Sequence, residues 1–200
     1  MGRTGPPLLV VCALRIEKVA LRRGAARNAA EKVTVLRTGM GPTAADRVVR
    51  EALHQPELRG SAVLTTGFCA GLAPGMRPGD VVVAEDGHES EALAAALKAA
   101  GHTVHTGTLA ESDHVVRGAE RTALAATGAI AVDMESAAMR RAALAEGTRH
   151  IAAARVVVDT PEFELVRVGT LRTGIIAFRV LRDLVPAFLD WHRTTVLPWR

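Results

Sequence analysis

Two apolar runs constrain this chain more than anything else in it. Leu8-Leu9-Val10-Val11-Cys12-Ala13-Leu14 contains no polar residue, and Ile151 to Val158 is interrupted only by Arg155. Strands of this kind cannot leave one face in water, so helices must cover the sheet on both sides. The segments between the runs fit. Lys32 to Arg37, Ala62 to Thr65, Asp80 to Ala84, Val104 to Leu109 and Ala129 to Val132 read as further strands. Arg15 to Arg23, Thr43 to Leu53, Glu91 to Ala100, Arg117 to Ala126 and Ala137 to Glu146 read as helices, two of them stopped by Gly101 and Gly147. Arg172 to Trp191 reads as one long apolar helix kinked at Pro186, and Phe68 to Gly79 as a Gly- and Pro-rich loop turning at Pro74-Gly75. Strands alternating with helices indicate α/β: a single-domain, three-layer α/β/α fold with a central mixed sheet, with sites at the carboxyl ends of strands.

Two hundred residues suit one domain. Aromatics make up 3%, with no Tyr, too few for a base-stacking nucleic-acid platform. The net charge of +4 is carried by the six Arg and two Asp from Arg167 to Arg200, a solvated helix face or a peripheral membrane contact. Cys12 and Cys69 sit in apolar surroundings as reduced core residues, and no metal-ligand spacing occurs; His102 and His105 read as surface residues. The first apolar run is broken by Arg15, too short for a signal peptide or a membrane span, so a cytoplasmic protein is expected.

Chemistry concentrates at Val132-Asp133-Met134-Glu135-Ser136, where a strand hands over to a helix. The free N–H groups of a helix N-terminus favour an ionised carboxylate, and the two oxygens of a carboxylate suit a vicinal diol. Glu135 is therefore a candidate clamp for two ribose hydroxyls, with Met134 packing beside the sugar; both acids could equally be ordinary first-turn residues. Asp159 ends another buried strand and serves either chemistry or an Asx turn. Glu17 follows the first strand in the same manner. Arg155 lies about 13 Å along the strand from Asp159, too far to pair with it, and could reach Glu135.

Three acids at three strand ends, with a Gly-rich loop at a fourth, resemble the nucleoside phosphorylase and nucleosidase superfamily, especially its methylthioadenosine/S-adenosylhomocysteine nucleosidase branch. The resemblance rests on Ala13-Leu14-Arg15-Ile16-Glu17, Thr38-Gly39-Met40-Gly41, Thr66-Gly67-Phe68-Cys69-Ala70-Gly71-Leu72 with Gly79-Asp80, Val132-Asp133-Met134-Glu135 and Arg155-Val156-Val157-Val158-Asp159. It implies cleavage of a purine N-glycosidic bond. Asp159 would protonate the purine at N7, Glu17 would activate the attacking water, and Glu135, Met134 and Asp133 would form the ribose site. Gly67, Phe68, Val115 and Arg155 would complete the substrate site. The ligand implied is a small-molecule purine nucleoside, with water or phosphate as co-substrate, no cofactor, no metal and no nucleic acid, in a homodimer. Phe68 replaces a small residue of the family loop, and Asp113-His114-Val115 stands where the nucleosidases carry an aromatic ring. The segment from Val83 to Gly107 is also short, as in the hopanoid-associated phosphorylases that act on adenosylhopane. Two other classes compete. Gly39-Met40-Gly41-Pro42-Thr43-Ala44 fits a dinucleotide fingerprint, though Pro42 lacks an N–H and no acid ends the next strand. A non-catalytic nucleoside-binding protein is the third reading.

Overall fold

The computed structural model describes residues 6–28, 33–86, 88–148, 150–161 and 170–196. Lys32, Arg167 and Arg200 lie outside them. The order is β1 (Leu8–Cys12), α1 (Arg15–Ala26), β2 (Val33–Arg37), α2 (Pro42–Leu53), β3 (Ala62–Gly71), β4 (Val81–Ala84) and α3 (His88–Ala99). Then follow β5 (Val104–Glu111), α4 (Ala119–Ala126), β6 (Ala129–Asp133), α5 (Ser136–Ala145), β7 (Ile151–Asp159), α6 (Thr170–Asp183) and α7 (Val185–Trp191).

The strands form one mixed sheet in the order β2-β1-β3-β6-β5-β4-β7. An additional β3–β7 pairing joins the last strand back to the third, so β3, β6, β5, β4 and β7 close into a ring while β1 and β2 extend from it. The β3–β6 and β4–β7 pairs are antiparallel; the others are parallel. Closure satisfies backbone groups that open edges would leave unpaired.

The continuous apolar pattern of β1 has the expected cause. Leu8, Val10 and Cys12 pack in one core with Leu21, Leu97, Leu181, Phe188 and Trp191. Leu9, Val11 and Ala13 pack on the opposite side with Val49, Met139 and Ala142. The C-terminal apolar residues thus cover the sheet: Leu181, Val185, Phe188 and Trp191 are buried, and the Trp191 indole donates to the Glu89 carbonyl at 3.0 Å. Ile175 and Ile176 remain exposed. The expected single kinked helix is two helices meeting at Leu184, with Pro186 in the first turn of α7, where a missing N–H costs nothing.

One further expectation is corrected. The loop assigned from Phe68 is strand as far as Gly71, because Gly67, Phe68 and Cys69 pair with Arg155, Val156 and Val157 of β7. A long-range ladder overrides the weak strand propensity of Gly and leaves only a bulge between Cys69 and Ala70. His102 and His105 are both partly exposed, and His105 Nε2 lies 2.9 Å from Asp80 Oδ2.

Candidate active site

The ends of β1, β6 and β7 meet the C-terminal part of β3 around a cavity of about 410 Å³, a size that suits a small molecule. Glu17, Phe68, Val115, Asp133, Met134, Glu135 and Asp159 all line it. Gly67 and Arg155 do not; they stand behind it and hold its acids in place.

Glu17 sits in the first turn of α1, where its side chain folds back toward the strand that precedes it. Its Oε2 accepts the Ala13 and Leu14 amides at 3.0 and 2.8 Å, and Oε1 accepts the Phe68 amide at 2.8 Å. One carboxylate therefore caps its own helix and ties β1 to β3. Burial pushes its pKa up, opposed by these amides and by Arg155. Gly67 makes the arrangement possible. Its φ is +145°, and a Cβ there would lie 2.6 Å from Glu17 Oε1 and 2.8 Å from Arg155 Nη1.

Glu135 precedes α5 and is held from across the molecule. The Gly39-Met40-Gly41 turn, with φ of +88° and +90° at its glycines, presents the Gly41 amide to Glu135 Oε1 at 3.1 Å. The turn that fits a dinucleotide fingerprint is thus spent on a carboxylate. Burial also raises the Glu135 pKa; the Gly41 amide and Arg155 oppose this, and Asp133 and Glu17 add to it.

Arg155 does not take Glu135 as its closest partner. Its Nε forms an ion pair with Asp133 Oδ2 at 2.5 Å, and both side chains are buried. Asp133 Oδ1 accepts the Ser136 amide and hydroxyl at 3.2 and 2.7 Å. Asp133 therefore starts α5 and neutralises Arg155, leaving Glu135 as the better placed of the two acids for a ligand. Arg155 is enclosed between acids, a buried cation that sets the local potential without touching the cavity.

Asp159 brings the residue that sequence reasoning missed. Arg121 of α4 pairs with it, Nη2 to Oδ2 at 2.5 Å, and also donates from Nε to the Val116 carbonyl at 3.1 Å. Arg121 is 6% exposed, the sole buried residue of α4, and lines the same cavity as Asp159. Asp159 therefore shares its end of the cavity with a cation in direct contact. No spacing in the sequence marks Arg121, since Arg on a short helix is most often solvent-exposed.

The rest of the lining is apolar. Leu14, Ile16, Met40 and Val116 join Phe68, Val115 and Met134, with His114 at the rim. Ile16, Met40 and Val115 are 52%, 64% and 56% exposed. Cys69 also lines the cavity, but burial pushes its thiol far up, and that of Cys12 to about 12, so neither is a nucleophile. No cluster of His, Cys, Asp and Glu among the described residues could hold a metal ion.

The sequence matches the phosphorylase superfamily over residues 17–90. No curated protein matches it. The fold is similar to that of Helicobacter pylori methylthioadenosine nucleosidase solved as a mutant with 5′-methylthioadenosine in its active site, at 12% identity and a TM-score of 0.78, covering 94% of this chain and 99% of that one. It is similar to the Neisseria meningitidis 5′-methylthioadenosine/S-adenosylhomocysteine nucleosidase in complex with methylthio-immucillin-A, at 20% identity and a TM-score of 0.72, covering 90% and 98%. Futalosine hydrolase of Helicobacter pylori shares the fold equally well, at 12% identity and a TM-score of 0.78, covering 94% and 99%. The chain is thus similar in sequence to the phosphorylase superfamily over residues 17–90, and it shares the fold of these solved nucleosidases.

Proposed function

We propose that the chain hydrolyses the N-glycosidic bond of a purine nucleoside, a 5′-modified adenosine, and releases adenine. One observation carries this reading: Glu17, Glu135 and Asp159, from three different strand ends, face one largely apolar cavity. Solved structures of the same fold are nucleosidases, one with 5′-methylthioadenosine bound. Glu135 accepts the ribose hydroxyls, and its charge favours the positive charge that builds on the sugar as the bond breaks. Met134 packs the sugar. Glu17, with its pKa raised by burial, takes the proton of the attacking water. Asp159 and Arg121 form the base end, and Phe68 supplies the apolar surface that a ring at Val115 would otherwise give.

Water is the favoured nucleophile because Thr65-Thr66-Gly67-Phe68 lacks the Arg and Ser of the phosphate-using relatives. A second reading has its own support. Ile16, Met40 and Val115 leave an apolar rim at the cavity, suited to a large 5′ group, with phosphorolysis of adenosylhopane as the extreme case. A second subunit could cover the same rim, which is the basis for a dimer.

The test is base release from adenosines carrying 5′-thioalkyl chains of increasing length, with and without phosphate. Free ribose products without phosphate support hydrolysis; ribose 1-phosphate and a phosphate requirement overturn it. Activity that peaks at methylthio rules out the long-chain reading, whereas activity that holds with length, together with retention on anionic liposomes, favours it. Binding without release of any base would leave a nucleoside-binding protein.

A further inference from the structure

We propose that the outer face shared by α1 and α6 docks on an anionic lipid bilayer. The two helices cover one side of the sheet together: Ala20 and Leu21 of α1 and Ala177 and Leu181 of α6 enter the same core. They approach closely because residue 24 is glycine. A Cβ there would overlap the Arg182 carbonyl and lie 2.6 Å from Val185 Cγ2. On either side of this contact, Arg23 lies over the Phe178 ring, 5.8 Å from its centroid, and Arg27 reaches Asp183 at 3.6 Å. The outward residues of the two helices therefore form one continuous face.

The charge on this face is of one sign. Arg15, Arg22 and Arg23 of α1 and Arg172 and Arg179 of α6 are exposed, and none forms an ion pair among the described residues. Arg27 and Arg182 share Asp183, the one exposed acid among the described residues of the two helices, since Glu17 is buried. The opposite layer is built differently. On α2, Arg47 pairs with Glu51, and Arg50 with Asp46 and Glu146. On α5, Arg140 pairs with Asp86 and Arg141 with Glu111. Like charges gathered on one face repel one another, and an anionic surface relieves that repulsion. The sequence hides the asymmetry, because α1 and α6 lie near opposite ends of the chain.

The apolar residues between the arginines select the kind of anion. Residues 15, 19 and 22, and residues 172, 175 and 179, each follow the spacing of one helix face. Val19 and Ile175 thus sit within the two arginine stripes, 38% and 47% exposed, with Ile176 beside them at 37%. Branched aliphatic side chains enter the acyl boundary of a bilayer while guanidinium groups meet its phosphate and carboxylate headgroups. A single-stranded nucleic acid would need exposed rings to stack on, and the one ring on these helices, Phe178, lies beneath Arg23. Ile16, 52% exposed at the start of α1, also lines the cavity, so docking brings the cavity mouth beside the lipid surface. Docking does not depend on which nucleoside the cavity takes.

The experiment is co-sedimentation of the full chain, without nucleoside, with vesicles of phosphatidylcholine alone or of phosphatidylcholine mixed with phosphatidylserine. It is run in about 0.05 M and 0.5 M NaCl, between which the screening length falls about three-fold. The native protein should bind the phosphatidylserine vesicles at low salt and leave them at high salt. Arg172→Gln combined with Arg179→Gln should weaken partition about 25-fold, about five-fold for each arginine. Ile175→Ser should also weaken it, and Arg47→Gln, on the charge-balanced layer, should not. No binding at low salt, equal binding to both vesicle types, or an equal loss in Arg47→Gln overturns the proposal. Vesicle binding that Ile175→Ser leaves intact marks a general polyanion site, checked with a double-stranded DNA oligonucleotide, and overturns the lipid assignment. Circular dichroism shows whether the variants fold; should the double variant not fold, the native dependence on phosphatidylserine and salt decides alone. Failure to bind vesicles leaves nucleoside cleavage intact, and failure to release base leaves docking intact.

Discussion

Each acid of the site is defined by what holds it. Glu17 and Glu135 both have pKa values raised above 4.5 by burial. The proposed roles require both ionised, so activity should fall as pH drops through their raised values, on an acid limb lying above the usual glutamate range; a kcat/KM profile still flat at pH 4.5 contradicts this. The sign for stability is opposite. A carboxyl whose pKa is raised in the folded state contributes stability below its unfolded pKa and loses it as pH rises through the folded value. Among the groups around Glu135, burial, Asp133 and Glu17 outweigh Arg155 and the Gly41 amide. Glu135→Gln should therefore raise Tm at pH 8, and the gain should shrink toward pH 4, as thermal melts can show. Asp159→Asn acts the other way. It leaves the buried Arg121 guanidinium without its anion, at a cost of about 3–5 kcal/mol, measurable by urea unfolding.

At the scale of elements, the extension of β3 beyond Thr65 matters most. It carries Gly67 to the one position where a Cβ would strike both Glu17 and Arg155, and it delivers the Phe68 amide to Glu17. Gly67→Ala should consequently reduce kcat far more than Gly75→Ala. Gly75 also has positive φ, but a Cβ there meets nothing within 4 Å. Similar kcat for the two variants would show that the Glu17 contact is incidental. The same logic governs the Gly39–Gly41 turn, whose conformation aims an amide at Glu135.

The whole molecule depends on covering both sides of β1 and closing the ring of strands. Trp191 and Phe188 are fully buried against the face opposite α2 and α5. Trp191→Ala should cost about 3–5 kcal/mol, read as a lower urea midpoint. An unchanged midpoint would mean that α7 is an appendage rather than one wall of the core. The exposed rim of Ile16, Met40 and Val115 belongs to this scale too, since a large substrate group or a second subunit would bury it. Sedimentation with and without substrate distinguishes these occupants.

Local pattern determined much of this protein. Continuous apolar runs named β1 and β7, glycines at Gly101 and Gly147 ended helices with φ of +88° and +78°, and acids at strand ends marked Glu17, Glu135 and Asp159. These features are legible because strand burial and helix termination act over a few neighbouring residues. Tertiary structure decided the rest. Phe68 to Gly71 became strand only because β7 lay alongside, and Asp133 became the partner of Arg155 only because β6 and β7 meet around the cavity. Arg121 became part of the site through a contact 38 residues away. Such pairings depend on the cost of burying charge in one particular enclosure, and that enclosure exists only once the ring of strands has closed.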